Sequence, residues 1–144
     1  WVPVDHKCQI ERGILAAFND DWMQFSLFVV PVFESMLRNY LSINGVSTFK
    51  HNKDDSEEDY SYKELFVRDD VKNLLSEEVL FELNFLLVDD VGYKIRHLCA
   101  HGQLTDHDYK SSHNGVLLFF WLIIKLLCIE KDKALTGATE DLHP

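Results

Sequence analysis

The 144-residue chain predicts an all-α bundle of four or five helices. Three observations carry that prediction. Trp22, Phe25, Phe28, Val29, Val32, Phe33, Met36, Leu37, Tyr40 and Leu41 recur at three- and four-residue steps, the mark of a broad buried helical stripe. Val116 to Ile129 is apolar except for Lys125, as befits a core helix that is hydrophobic nearly all round. No segment alternates cleanly enough to read as a strand. With 47% hydrophobic residues and only six glycines and three prolines, the chain is globular rather than disordered, and its length suits one domain spanning residues 1–144.

The first helix is expected over 6–18, where Ile10, Ile14, Leu15 and Phe18 share a face. Asp20 or Asp21 can cap the second, over 22–43, which Pro31 should kink and Asn44-Gly45 should end. Residues 46–60 are polar and acidic and read as a surface loop. Tyr62 to Val67 suits a short helix. Ser76, followed by Glu77 and Glu78, starts a helix that runs to about Val88. Asp89 or Asp90 is expected to start a helix ending near Gly102, and Ser111 or Ser112 to precede a last helix over about 113–130. The apolar run in that helix is short for a bilayer span, which takes about 20 residues, so no membrane span is expected within the chain.

A net charge of −10 excludes a protein that coats nucleic acid generally. Residues 54–90 hold thirteen acids against three bases, so this segment carries the whole excess and the remainder is neutral. That leaves room for a small cationic cleft at Lys94, Arg96 and the histidines. The acidic segment reads first as a solvated surface, and secondarily as one that repels non-target RNA or meets a basic partner. Cys8, Cys99 and Cys128 are odd in number and widely spaced, which favours a reducing, intracellular setting over a disulfide scaffold. Trp1 opens the chain and no secretory leader precedes the first helix, so the sequence reads as a piece of a longer protein.

The chemistry concentrates in Arg96-His97-Leu98-Cys99-Ala100-His101-Gly102. Arg96 is a permanent cation with a planar donor fork suited to phosphate oxygens. His101 can give or take a proton near neutral pH. Cleavage of RNA without a metal needs both: a base for the 2′-hydroxyl proton and a fixed positive charge for the crowded phosphate. On a straight helix five positions separate two side chains by about 140°, so Arg96 and His101 would not share a face, whereas His97 and His101 would. Gly102 suits a left-handed residue that leaves His101 at the helix end.

This motif resembles the R-x(4–6)-H motif of the HEPN superfamily, and more closely the HEPN-type family with an RNxxxHG signature. Pro31-Val32-Phe33-Glu34-Ser35-Met36-Leu37-Arg38 is similar to that family's P-x-x-E-x-x-x-R helix, and Val116 to Leu127 to its closing apolar helix. The likeness spans roughly residues 22–129. His97 stands where the signature has Asn, and Gln103 stands where a subgroup of HEPN toxins has a modified tyrosine. The resemblance implies a HEPN-like bundle and a metal-independent endoribonuclease without cofactor, acting on single-stranded RNA at a homodimer cleft. It implies Arg96 and His101 as catalytic residues, His97, Glu34 and Arg38 as supporting ones, and an RNA path that takes in Lys94, His107 and Lys110. It implies a cytoplasmic location, with any attachment to the endoplasmic reticulum membrane carried by segments outside these residues.

Plainer readings stand beside these. Arg96 can be half of a salt bridge, to Glu34 for example, and His101 a capping side chain. Glu34 and Arg38 can be an intrahelical surface pair. Cys99 between the two histidines does not complete a metal-ligand pattern. The rival function is a non-catalytic helical module that binds protein or nucleotide.

Overall fold

The computed structural model describes residues 2–52, 56–110 and 114–140, with the side chains of these except at 110, 114 and 129–140. The chain is all-α apart from one small ribbon. A single 3₁₀ turn at Val4–His6 leads into α1 (Lys7–Phe18) and α2 (Trp22–Ile43). Strands β1 (Phe49–His51) and β2 (Glu57–Asp59) follow, then α3 (Tyr62–Phe66), α4 (Asp69–Leu74), α5 (Glu77–Leu87), α6 (Ile95–Ala100), α7 (Asp106–Lys110) and α8 (Asn114–Glu140). The sequence predicts four or five helices. The described residues form eight, because α3, α4, α6 and α7 are separate pieces of five or six residues each.

The α1–α2 hairpin depends on close approach. A side chain at Gly13 would come within 2.4 Å of Val29 Cγ2. Asp21 caps α2 through a bond from the Gln24 N–H to its Oδ1 (3.0 Å). Pro31 lies on the exposed side of α2, where the carbonyl it leaves without a donor can turn to solvent, and the helix is continuous through it. The opposite face of α2 is the centre of the molecule. Phe25, Val29, Phe33, Met36, Leu37 and Leu41 are buried completely or nearly so. Phe119 of α8 inserts among them, with its ring edge-on to Phe33 at 5.1 Å and tilted to Phe25 at 6.2 Å. Leu83 of α5, Ile95 of α6 and Ile123 of α8 close the same core.

Residues 46–60 differ from the expected loop. Phe49, Lys50 and His51 pair antiparallel with Asp59, Glu58 and Glu57. This β-ribbon has no apolar face to advertise it, and charge holds it instead. Arg38 on α2 donates to both sides of the ribbon's open end, at the Thr48 carbonyl (3.1 Å) before β1 and the Tyr60 carbonyl (2.8 Å) after β2. Arg68 donates to the Ser47 carbonyl (2.7 Å), and Lys50 reaches Glu64 on α3 (2.7 Å). Ser61 and Glu64 form a reciprocal capping box at the start of α3.

The motif helix also starts later than expected, at Ile95 rather than Asp89 or Asp90. Two contacts prevent earlier helix. The Asp89 side chain accepts from the Val91 N–H (3.0 Å), making a turn. Gly92 lies so close to the Phe85 carbonyl that an added Cβ would be 1.8 Å from its oxygen, and the Tyr93 N–H donates to that same oxygen (3.1 Å). Lys94 then adopts a left-handed conformation, φ 46° and ψ 39°, before α6 begins. The last helix begins at Asn114 and extends to Glu140, ten residues past its expected end at about 130. The expected caps Ser111 and Ser112 lie outside the described residues. Among the described residues, no helix is long and apolar enough to cross a membrane.

Two stability predictions follow from this packing. Phe119→Ala, which empties the centre of the core, should cost about 3–5 kcal/mol and lower the melting temperature accordingly. Glu64 has its carboxyl drawn down to about 2 by the Lys50 ammonium and the Ser61 cap. Because its folded pKa is depressed, its contribution is fully present above the ordinary value of 4.5 and is lost as pH falls towards about 2. Glu64→Gln should therefore lower the melting temperature at neutral pH, and that difference should close as melts are taken through this acid window.

Candidate functional site

The site is built where α6 crosses α2. Ile95 anchors α6 in the core, 1% exposed. The Cys99 thiol turns to α2, where it donates to the Ser26 carbonyl at 3.7 Å. Burial pushes the thiol's pKa up, so it stays protonated and able to donate. These two residues face inward and direct Arg96, His97 and His101 outward.

Glu34 stands opposite Arg96 on α2 and divides its carboxylate between two guanidiniums. Its Oε1 accepts from Arg38 at both Nε (3.1 Å) and Nη2 (2.8 Å). Its Oε2 meets Arg96 Nη2 at 2.6 Å. Arg38 is nearly saturated, since it also serves the two ribbon carbonyls and lies 3.4 Å from Asp59. The arginine side chains consequently differ in exposure, with Arg38 16% exposed and Arg96 52% exposed. Arg96 spends one nitrogen on Glu34 and keeps its remaining donors towards solvent. Its guanidinium lies over the ring of Tyr62, 5.4 Å from the centroid, a cation–π contact with the first residue of α3.

The imidazoles lie further along α6. The His97 and His101 rings are 4.4 Å apart between centroids, inclined at 50°, and both residues are exposed. The end of the helix follows the expectation from Gly102. Gly102 adopts φ 61°, its N–H donates to the Cys99 carbonyl (3.2 Å), and the Gln103 N–H donates to the Leu98 carbonyl (2.8 Å). His101 is the last residue before the chain turns away. No hydrogen bond or ion pair joins Arg96 to His101 among the described residues, and the helix separates the two as the spacing requires.

The expected supporting residues therefore divide. Glu34 and Arg38 engage Arg96 directly or through one carboxylate, and His97 engages His101. Their pairing is not a plain surface contact, because it joins α2 to α6 and to the ribbon. Lys94, expected on an RNA path, is paired with Asp90 at 2.6 Å. His107 is exposed on α7. Lys110 ends α7, and its side chain lies outside the described residues. Tyr62 was not foreseen as part of the site, and no sequence signal links it to Arg96, 34 residues later. Among the described residues, no group of three or more His, Cys, Asp or Glu is placed to hold a metal ion.

This geometry predicts unequal roles for the two arginines in stability. Arg38→Ala leaves Glu34 partly unpaired and frees the open end of the ribbon, and should cost about 2–4 kcal/mol in denaturant unfolding. Arg96→Ala removes a half-exposed partner and should cost about 1 kcal/mol or less. No protein-family model, curated protein or solved structure matches this chain.

Proposed function

We propose that the chain is a metal-independent endoribonuclease domain that acts on single-stranded RNA as a homodimer. The observation that supports this most is Arg96, a guanidinium fixed on one side by Glu34 and Tyr62 and open on the other. It lies on the same short helix as two exposed imidazoles in contact. A charge gathered close to its working position before the ligand arrives has less reorganisation to complete at the moment of reaction than a mobile one.

In the proposed reaction Arg96 binds the scissile phosphate and offsets the charge that builds on it. His101 takes the proton of the 2′-hydroxyl, whose oxygen attacks phosphorus. The bond from phosphorus to the 5′-oxygen breaks, and that oxygen leaves with a proton from a second imidazole. The products are a 2′,3′-cyclic phosphate and a 5′-hydroxyl. Five residues of α-helix advance about 7.5 Å, so Arg96 and His101 of one protomer stand apart along the axis. A second protomer facing the first would supply the complementary imidazole across the cleft. His97, in ring contact with His101, would orient it or exchange protons with it.

A second reading has its own support. Arg96 is already ion-paired with Glu34, and that pair ties α6 to α2. In a non-catalytic interaction module this would be its whole purpose, and the exposed side chains Phe81, Leu118 and Trp121 would offer contact surface. The two readings part in one assay. Labelled single-stranded RNA is incubated with the protein in EDTA. The nuclease reading expects cleavage that persists under chelation and falls at least about a hundredfold in both Arg96→Ala and His101→Ala. An absence of cleavage by a demonstrated dimer across several RNAs would favour the module.

A further inference from the structure

We infer that Tyr62 is a positioning residue that takes over Glu34 when Arg96 is drawn onto an RNA phosphate, an inference that rests on the RNA reading above. The Tyr62 side chain is 8% exposed, and its buried hydroxyl has no hydrogen-bond partner among the described residues. A buried hydroxyl left unpaired is costly, and such groups in folded proteins call for a reason. Packing does not offer the hydroxyl an escape to solvent. The ring stacks on Phe66 at 5.5 Å with 20° between planes, beside the buried Leu65.

The surroundings of the hydroxyl point to its use. The Arg96 guanidinium lies over the ring, and the Glu34 oxygen that Arg96 holds is 2.6 Å from its nitrogen. The charges of Glu34, Arg96 and Arg38 all bear on the phenol, and burial pushes its pKa well above the ordinary range. Tyr62 therefore stays a protonated donor at any physiological pH. Glu34 has one oxygen committed to Arg38, and its other depends on Arg96. When a phosphate draws Arg96 away, that second oxygen loses its donor in a partly buried place. Under the Arg96 guanidinium lies the Tyr62 phenol, whose buried hydroxyl has no other commitment among the described residues. Its bond to Glu34 would offset the loss and release Arg96 to the phosphate. Binding the ligand and satisfying Tyr62 thus become one event.

The test uses the whole chain and a short fluorescein-labelled single-stranded RNA in which every 2′-oxygen is methylated, so that binding is read without cleavage. Tyr62→Phe should weaken binding roughly tenfold, the worth of one hydrogen bond to a carboxylate. Its melting temperature should equal or exceed that of the unaltered protein, because the hydroxyl removed had no partner. In a Glu34→Met background, adding Tyr62→Phe should weaken binding no further, a coupling that a general packing defect would not produce. Unchanged binding by Tyr62→Phe, alongside lost binding by Arg96→Ala, overturns the role of Tyr62 and spares the RNA reading. A clear fall in the melting temperature of Tyr62→Phe also overturns it, since the hydroxyl would then already have a partner. Binding indifferent to Arg96→Ala overturns the RNA reading, and this inference with it.

Discussion

One carboxylate between two guanidiniums organises this molecule. Glu34 binds Arg38 with one oxygen and Arg96 with the other, and each arginine belongs to a different neighbourhood. Arg38 is a structural cation. Four acceptors surround it, two of them main-chain carbonyls at the open end of a ribbon that has no hydrophobic face of its own. Arg96 is left with spare donors because Arg38 has already claimed the deeper position. The same residue type one turn from Glu34 and across a helix crossing therefore does different work, and exposure decides which is which. A partly buried ion network of this kind contributes little net energy compared with apolar packing, but it specifies where the ribbon, α3 and α6 sit.

That arrangement reconciles a strongly acidic chain with a cationic reading of its site. The acidic excess lies between residues 54 and 90, in the ribbon and helices α3 to α5. Much of it is locally answered: Glu64 by Lys50, Asp90 by Lys94, and Glu82 by Lys125. Lys94 is accordingly engaged by Asp90, despite its place beside the motif. The fixed positive charge of the site narrows to Arg96. A single fixed cation in an acidic protein suits selective contact with one phosphate in a flexible strand better than avid binding along a backbone.

Tertiary contacts also explain why the motif helix is so short. Periodicity and acidic caps favour a helix from Asp89, yet Asp89 folds back on Val91, and Gly92 meets the Phe85 carbonyl of the preceding helix. Six residues of α6 remain. The short helix puts Arg96 in its first turn, near α2 and α3, and His101 at its final cap. A longer helix would have carried the arginine in its middle rather than in the first turn that meets the Tyr62 ring.

Residues whose instructions are local were legible before any fold was known. The stripe from Trp22 to Leu41, the apolar run from Val116, the Asp21 and Ser76 caps and the left-handed Gly102 each act within a few residues, so spacing alone exposes them. The motif residues and the Glu34–Arg38 pair were legible for the same reason. The ribbon, the late start of α6 and the place of Tyr62 were not. Each depends on partners far apart in the chain: Arg38 with Thr48 and Tyr60, Gly92 with a carbonyl on α5, and Arg96 with a ring on α3. Hydrogen bonds to main-chain carbonyls and contacts with ring faces leave no periodic trace in a sequence. Side-chain types announce which helices form, and only the packed bundle decides which arginine is buried in the fold and which stays half open to solvent.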